Sequence, residues 1–134
     1  MKLSKIKRDV NAVDSGVWVN KVIDDLDIKV ASTDSRKYTD ALRVSLKPYQ
    51  RTLKNMSNDQ FIEIQNKVAA KHLLLDWRNM TDENDQPIPY SSEKALELLN
   101  DPEMADFRDI VMNLAGEQEL FRKEALQELA TKSE

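Results

Sequence analysis

The chain has 134 residues, of which 40% are hydrophobic and 33% charged, so it is long enough for one domain with a single core. Two glycines and four prolines disfavour an all-β sandwich, which needs many tight turns. The absence of cysteine excludes a disulfide framework, a thiolate metal site and a cysteine nucleophile. Neither a signal peptide nor a run of about 18 apolar residues is visible, so we expect a soluble intracellular protein.

The net charge of −4 is divided unevenly along the chain. Residues 1–72 contain 14 Lys/Arg and 9 Asp/Glu, a net charge of +5, whereas residues 73–134 contain 6 and 15, a net charge of −9. Either the two halves form two solvated faces of one helical domain, or they are complementary to each other or to a charged partner. The acidic balance argues against binding of nucleic acid through the whole surface.

The N-terminal part combines a basic arm with a short β signal. Residues 1–13 are basic, and we expect them to form a flexible arm. Gly16–Val19 is β-branched and aromatic, and Leu26–Val30 alternates apolar and polar residues. This pattern predicts a short β-hairpin within residues 14–32. Nothing in residues 33–134 suggests another strand, so we expect that region to be helical.

The first predicted helix begins at Thr33 or Asp34, either of which can act as N-cap. Its apolar stripe continues to Met56, with a kink or short break expected near Lys47 because Pro48 follows. The opposite face is a basic ridge formed by Arg36, Arg43, Lys47, Arg51 and Lys54, with Asp40 as the one acid among them. The ridge Arg36–Lys54 is either a solvated face or a surface for an anionic partner.

A second helix begins at Ser57 and places His72, the one histidine, on a broad apolar face. A catalytic or metal-binding histidine needs partners, and the chain offers neither a second histidine nor a cysteine. We therefore interpret His72 as a core or rim residue.

A short third helix is predicted from about Ser91 to Asn100. A long fourth helix follows it, with Asp101 as its cap and Pro102 at its first helical position. The apolar residues of this helix recur with heptad-like spacing and are the candidate contacts for a partner or a second copy. They are Phe107, Val111, Leu114, Phe121, Ala125 and Leu129. A helix unbroken to Ala130 either projects from the domain or bends at Gly116.

The acidic loop between the second and third helices spans Asp76 to Ser91. Its acids nearly follow a calcium-binding EF-hand loop, but Pro87 stands where that loop needs glycine. A solvated loop also gives no reason for two carboxylates to differ in pKa, as acid–base hydrolysis requires. No phosphate loop or nucleophile motif is present. We therefore expect no enzymatic activity, no metal and no cofactor.

The run LLLDWRNMTDENDQPIPYSSEKALELLNDPEMADFRDIV resembles tail assembly chaperones of long-tailed bacteriophages. In that family a Trp-containing segment precedes an acidic loop of the form T-D-E-D-G-x-P-I-P, a short A-L-x-L-L helix, D-P and a helix beginning D-F-R-D. The matching positions are Trp77, Thr81, Asp82, Glu83, Pro87, Ile88, Pro89, Tyr90, Ser91, Ala95, Leu96, Leu99, Asp101, Pro102, Phe107, Arg108 and Asp109. The likeness covers residues 14–125, and Asn84-Asp85-Gln86 departs from the family's turn.

The resemblance implies a chaperone that keeps the tape measure protein soluble and helps recruit tail tube subunits. It implies location in the cytoplasm of the bacterial host and absence from the mature virion. Trp77, Ile88, Pro89 and Tyr90 then pin the loop to the core. Self-association is a further expectation, and a small regulatory or nucleic-acid-binding protein using the basic ridge is the alternative. The predicted fold is one mainly α domain of four to five helices, with a short N-terminal β-hairpin and a long C-terminal helix.

Overall fold

A computed structural model describes residues 1–132, within which six α-helices surround a three-stranded antiparallel sheet. The helices are α1 (Val10–Ser15), α2 (Arg36–Leu46), α3 (Asn58–His72), α4 (Ser92–Asn100), α5 (Ala105–Ala115) and α6 (Lys123–Lys132). The strands are β1 (Val17–Ile23), β2 (Leu26–Val30) and β3 (Leu74–Arg78), in the order β1-β2-β3. Short 3-10 helices span Leu3–Lys5, Lys47–Tyr49, Leu53–Asn55, Pro102–Met104 and Gln118–Phe121.

The sheet differs from the predicted fold, because its third strand, β3, lies within residues 33–134, which the sequence predicts to be helical. β1 and β2 pair with Val17 opposite Val30, and β3 adds to β2 with Trp77 opposite Ile28. The sequence did not reveal β3, because Leu73-Leu74-Leu75 continues the apolar face of the preceding helix. Such a short apolar run fits a helix or a strand equally well, and only its pairing with β2 makes it a strand. The prediction of a short N-terminal hairpin in a mainly α domain was therefore wrong. Residues 133–134 lie outside the described residues.

The N-terminal segment, for which the composition predicts a flexible arm over residues 1–13, makes backbone hydrogen bonds to the C-terminal part of the chain. The side chain of Asp9 caps α1 by accepting a hydrogen bond from the backbone of Ala12. The backbone N–H of Asp9 donates to Phe121 over 2.8 Å, and that of Lys123 donates to Lys7 over 3.0 Å. Residues 7–9 are thus held against residues 121–123 by backbone hydrogen bonds, which sequence patterns do not reveal.

The predicted long C-terminal helix was also wrong, because the chain turns after Gly116. α5 ends at Ala115, a 3-10 helix follows, and α6 begins only at Lys123. The turn places Phe121 in the core with 1% of its surface exposed. A straight helix would leave this phenylalanine in water, and its burial stabilises the fold by about 1.5–3 kcal/mol. The bend at Gly116, an alternative left open by the sequence, is the one observed.

A polar network centred on Asn66, which is 3% exposed, connects four helices. The amide nitrogen of Asn66 in α3 donates to the Leu99 carbonyl of α4 over 3.0 Å. Its oxygen accepts a 2.7 Å hydrogen bond from Nε of Arg108 in α5. The same guanidinium donates to Gln65, whose amide donates to the hydroxyl of Tyr38 in α2. The network fixes how α2, α4 and α5 are arranged around α3.

We predict that Asn66→Ala lowers the free energy of unfolding by about 2–4 kcal/mol, because it removes the partners of a guanidinium N–H and a backbone carbonyl. Asn113→Ala, which truncates an exposed asparagine on α5, is the matched control and is expected to change it by less than about 0.5 kcal/mol. Urea unfolding followed by circular dichroism measures both. Equal effects of the two substitutions would contradict the structural role of the network.

Candidate docking groove

An open groove with a volume of about 480 Å³ lies between α2, α3 and α4. α3 packs against both other helices and forms the floor, where Val68 and Ala70 are almost fully buried. α2 contributes Ala41 and Val44 to one wall, and α4 contributes Leu96 to the other. The groove is therefore a mainly apolar channel between neighbouring helices.

Local sequence signals set the position of each wall. Ser35 caps α2, so the helix begins beyond the predicted caps Thr33 and Asp34. Ser91 caps α4 by accepting a 3.0 Å hydrogen bond from the backbone of Lys94, as the sequence predicts. Val44 stands on the outer part of the α2 wall with 59% of its surface exposed, a large fraction for a β-branched apolar side chain. The groove thus has an apolar wall that the chain itself does not cover.

A second depression of about 370 Å³ lies on the other side of α2. Its apolar lining comes from Leu42 and Leu46 of α2 and from Leu53 of the 3-10 helix Leu53–Asn55. α2 ends at Leu46, and a 3-10 helix containing Pro48 follows, which confirms the break predicted near Lys47. α2 therefore stands between two apolar depressions.

The rim of the groove is basic although the chain as a whole is acidic. Lys67 and Lys71 line it from α3, and Glu93 is the carboxylate among its lining residues. Burial lowers the pKa of His72 below its ordinary value, and the nearby Lys71 and Lys37 lower it further. The lowered pKa of His72 favours the neutral imidazole. Anionic groups are favoured at this rim over cationic ones.

The six residues predicted to contact a partner do not form one exposed stripe. Phe107, Val111 and Phe121 are in the core, with exposed fractions of 4%, 0% and 1%. Leu114 and Ala125 are half-buried, and Leu129 is 49% exposed. Leu114 lies on α5, whereas Ala125 and Leu129 lie on α6, so the accessible residues are on two separate helices. Contact of the accessible ones with a partner stays a prediction.

The basic ridge Arg36–Lys54 is exposed, but it does not follow a single helix. Arg36 and Arg43 lie on α2, whereas Arg51 and Lys54 lie beyond the helix end. Arg43 is 3.6 Å from Asp40, an exposed pair that contributes little to stability. Sequence reasoning identified the ridge but missed the groove, because the groove requires three helices to be placed beside each other. The one available signal was Val44, an apolar residue outside the α2 stripe.

The acidic loop is closed by its own hydrogen bonds. Oδ1 of Asp82 accepts from the backbone of Asn84 at 2.8 Å and of Gln86 at 3.0 Å, so this carboxylate is used by the turn. Asp85 takes a positive φ of 61° at the place where the resembled family has a glycine turn. Among the described residues, no group of three or more His, Cys, Asp or Glu side chains is arranged to hold a metal ion.

Aromatic residues attach the end of this loop to the sheet. The indole N–H of Trp77 donates to the Ile88 carbonyl over 2.8 Å, and the Tyr90 hydroxyl donates to the Leu74 carbonyl over 2.7 Å. The two rings meet edge to face with centroids 4.9 Å apart. Pro89, which we expected to pack with them, is exposed. The attachment fixes the start of α4 and therefore one wall of the groove.

The chain matches a known protein family. A family model described as YdaY prophage protein matches residues 33–132, which include all three helices of the groove. No curated protein and no solved structure matches the chain. Within residues 1–132, no helix combines the length and apolar character needed to cross a membrane.

We predict that Phe121→Ala lowers the free energy of unfolding by about 3–5 kcal/mol, because it leaves a cavity in the core. Val44→Ala, which truncates an exposed apolar residue of the groove, is expected to change it by less than about 0.5 kcal/mol. Denaturant titration compares the two variants with the parent chain. A mild Phe121→Ala phenotype would show that this residue is outside the core.

Proposed function

We propose that this chain, which belongs to the YdaY prophage protein family, is a tail assembly chaperone. It keeps the tape measure protein soluble and helps recruit tail tube subunits. The proposed role is non-catalytic, since shielding a client needs apolar surface rather than a reacting group. Its place is the cytoplasm of the bacterial host, and the protein is absent from the mature virion.

The apolar groove between α2, α3 and α4 is the observation that supports this proposal most directly. Long helical proteins expose apolar stripes until they assemble, and an apolar groove on a partner can cover such a stripe. The groove volume of about 480 Å³ has room for a few side chains. Each aliphatic side chain buried there contributes about 1.5–3 kcal/mol before the cost of ordering the client.

The resemblance between residues 73–111 and tail assembly chaperones supplies the specific client. Trp77, Ile88 and Tyr90 of the shared motif attach the loop to the sheet and position the start of α4. The motif thus positions α4, and its own Leu96 lines the groove. Recruitment of tube subunits rests on the resemblance alone.

Co-expression with the tape measure protein of the same prophage tests the proposal. We expect the soluble fraction of that protein to rise severalfold and the two proteins to copurify. Val44→Asp should abolish this gain in client solubility. The new carboxylate would be desolvated when a client enters the groove, and desolvating an unpaired charge costs free energy. Val10→Asp is the matched control, since Val10 is 72% exposed and lies outside the groove.

A tape measure protein that is no more soluble with the parent chain than without it would contradict the chaperone function. If Val44→Asp works as well as the parent, the groove is not the client site. Salt-sensitive retention of the protein on duplex DNA, without any effect on the client, would favour the basic ridge as a nucleic-acid surface.

A further inference from the structure

We propose that the client segment held in this groove is an amphipathic helix with carboxylates along its polar edge. This inference rests on the proposed chaperone function and adds the chemical class of the segment that is bound. It depends on the charges around α2 and on the spacing of two lysines on α3.

The residues that line the two depressions beside α2 carry an excess of positive charge. Lys67 and Lys71 line the groove, and Arg43 and Lys47 line the second depression. Glu93 is the one carboxylate in the two linings. This local excess contrasts with the net charge of −4 of the whole chain. An occupant with negative charge at its edges complements the surface, whereas a basic one is repelled.

The two α3 lysines are available for such an occupant. Within the described part of the chain, no carboxylate lies within ion-pair distance of Lys67 or Lys71. Their spacing of four residues places them on the same side of α3, about one helical turn apart. A helix with acidic residues spaced by three or four can meet both lysines, while its apolar stripe covers Val44 and Leu96.

A second copy of the chain is a weaker candidate for the same place. Its helices α4 and α5, each with two acids and one base, already direct their apolar faces into their own core through Leu99, Phe107 and Val111. Without partial unfolding they have no apolar stripe to offer the groove. The phosphates of duplex DNA could pair with the two lysines, but DNA would leave the apolar walls of the groove exposed to water.

Overlapping peptides of about 30 residues from the tape measure protein, each carrying a fluorophore, test the inference by anisotropy. We expect the tightest binders to be acidic amphipathic sequences. The double substitution Lys67→Glu and Lys71→Glu should weaken their binding about tenfold, since attraction becomes repulsion. Added salt should weaken binding to the parent chain and not to this variant.

The matched control is Lys2→Glu with Lys5→Glu, which makes the same change in net charge at exposed positions outside the groove. We expect it to bind within about twofold of the parent, with circular dichroism confirming that both variants are folded. Preferential binding of neutral or basic peptides overturns the inference, as does unchanged binding to the groove variant. Tighter binding of duplex DNA or of a second copy overturns it too. In each case, if the tape measure protein is still solubilised, the chaperone function is retained and only the inference about the bound segment is rejected. If it is not solubilised, both the chaperone function and the inference are rejected.

Discussion

The side-chain amide of Asn66 sets the arrangement on which the rest of the helical layer depends. Its nitrogen holds the end of α4 and its oxygen holds Arg108 of α5, both from a buried position on α3. Arg108 in turn reaches α2 through Gln65 and Tyr38. A buried amide must satisfy its hydrogen bonds, so few relative positions of these helices are acceptable. The apolar core stabilises the fold, and the hydrogen-bond network determines how α2, α4 and α5 are arranged around α3.

The groove follows from that geometry. The network and the core use the inner faces of α2, α3 and α4, and the outer part of α2 is left without a covering element. Val44 therefore remains in water, with Lys67 and Lys71 beside it on α3. An exposed apolar wall with a basic rim has no evident role in the stability of this chain, which is why we assign it to a partner.

Local signals in the sequence were more reliable than long-range ones. Ser57 and Ser91 cap helices where the sequence predicts helix starts, because a cap depends on residues within one turn. Asp101 caps the 3-10 helix before α5 rather than α5 itself. β3 was missed because Leu74 and Leu75 become a strand only beside β2. The predicted stripe is interrupted for a related reason. Phe107 is buried on α5, and the turn after Gly116 brings Phe121 into the core as well. Of the candidate site, the sequence indicated Arg43 and Lys47 of the ridge, which line the second depression. It indicated neither the two groove lysines nor the groove between three helices.

Hydrogen exchange of the protein with and without the tape measure protein tests the central claim most directly. The account predicts that amide exchange slows by about tenfold or more in residues 41–46 of α2 and 92–99 of α4 when the client is bound. Residues 105–115 of α5, which are already packed on the core, should exchange at unchanged rates. Slower exchange confined to α5 and α6, with α2 and α4 unaffected, would contradict the assignment of the groove as the client site.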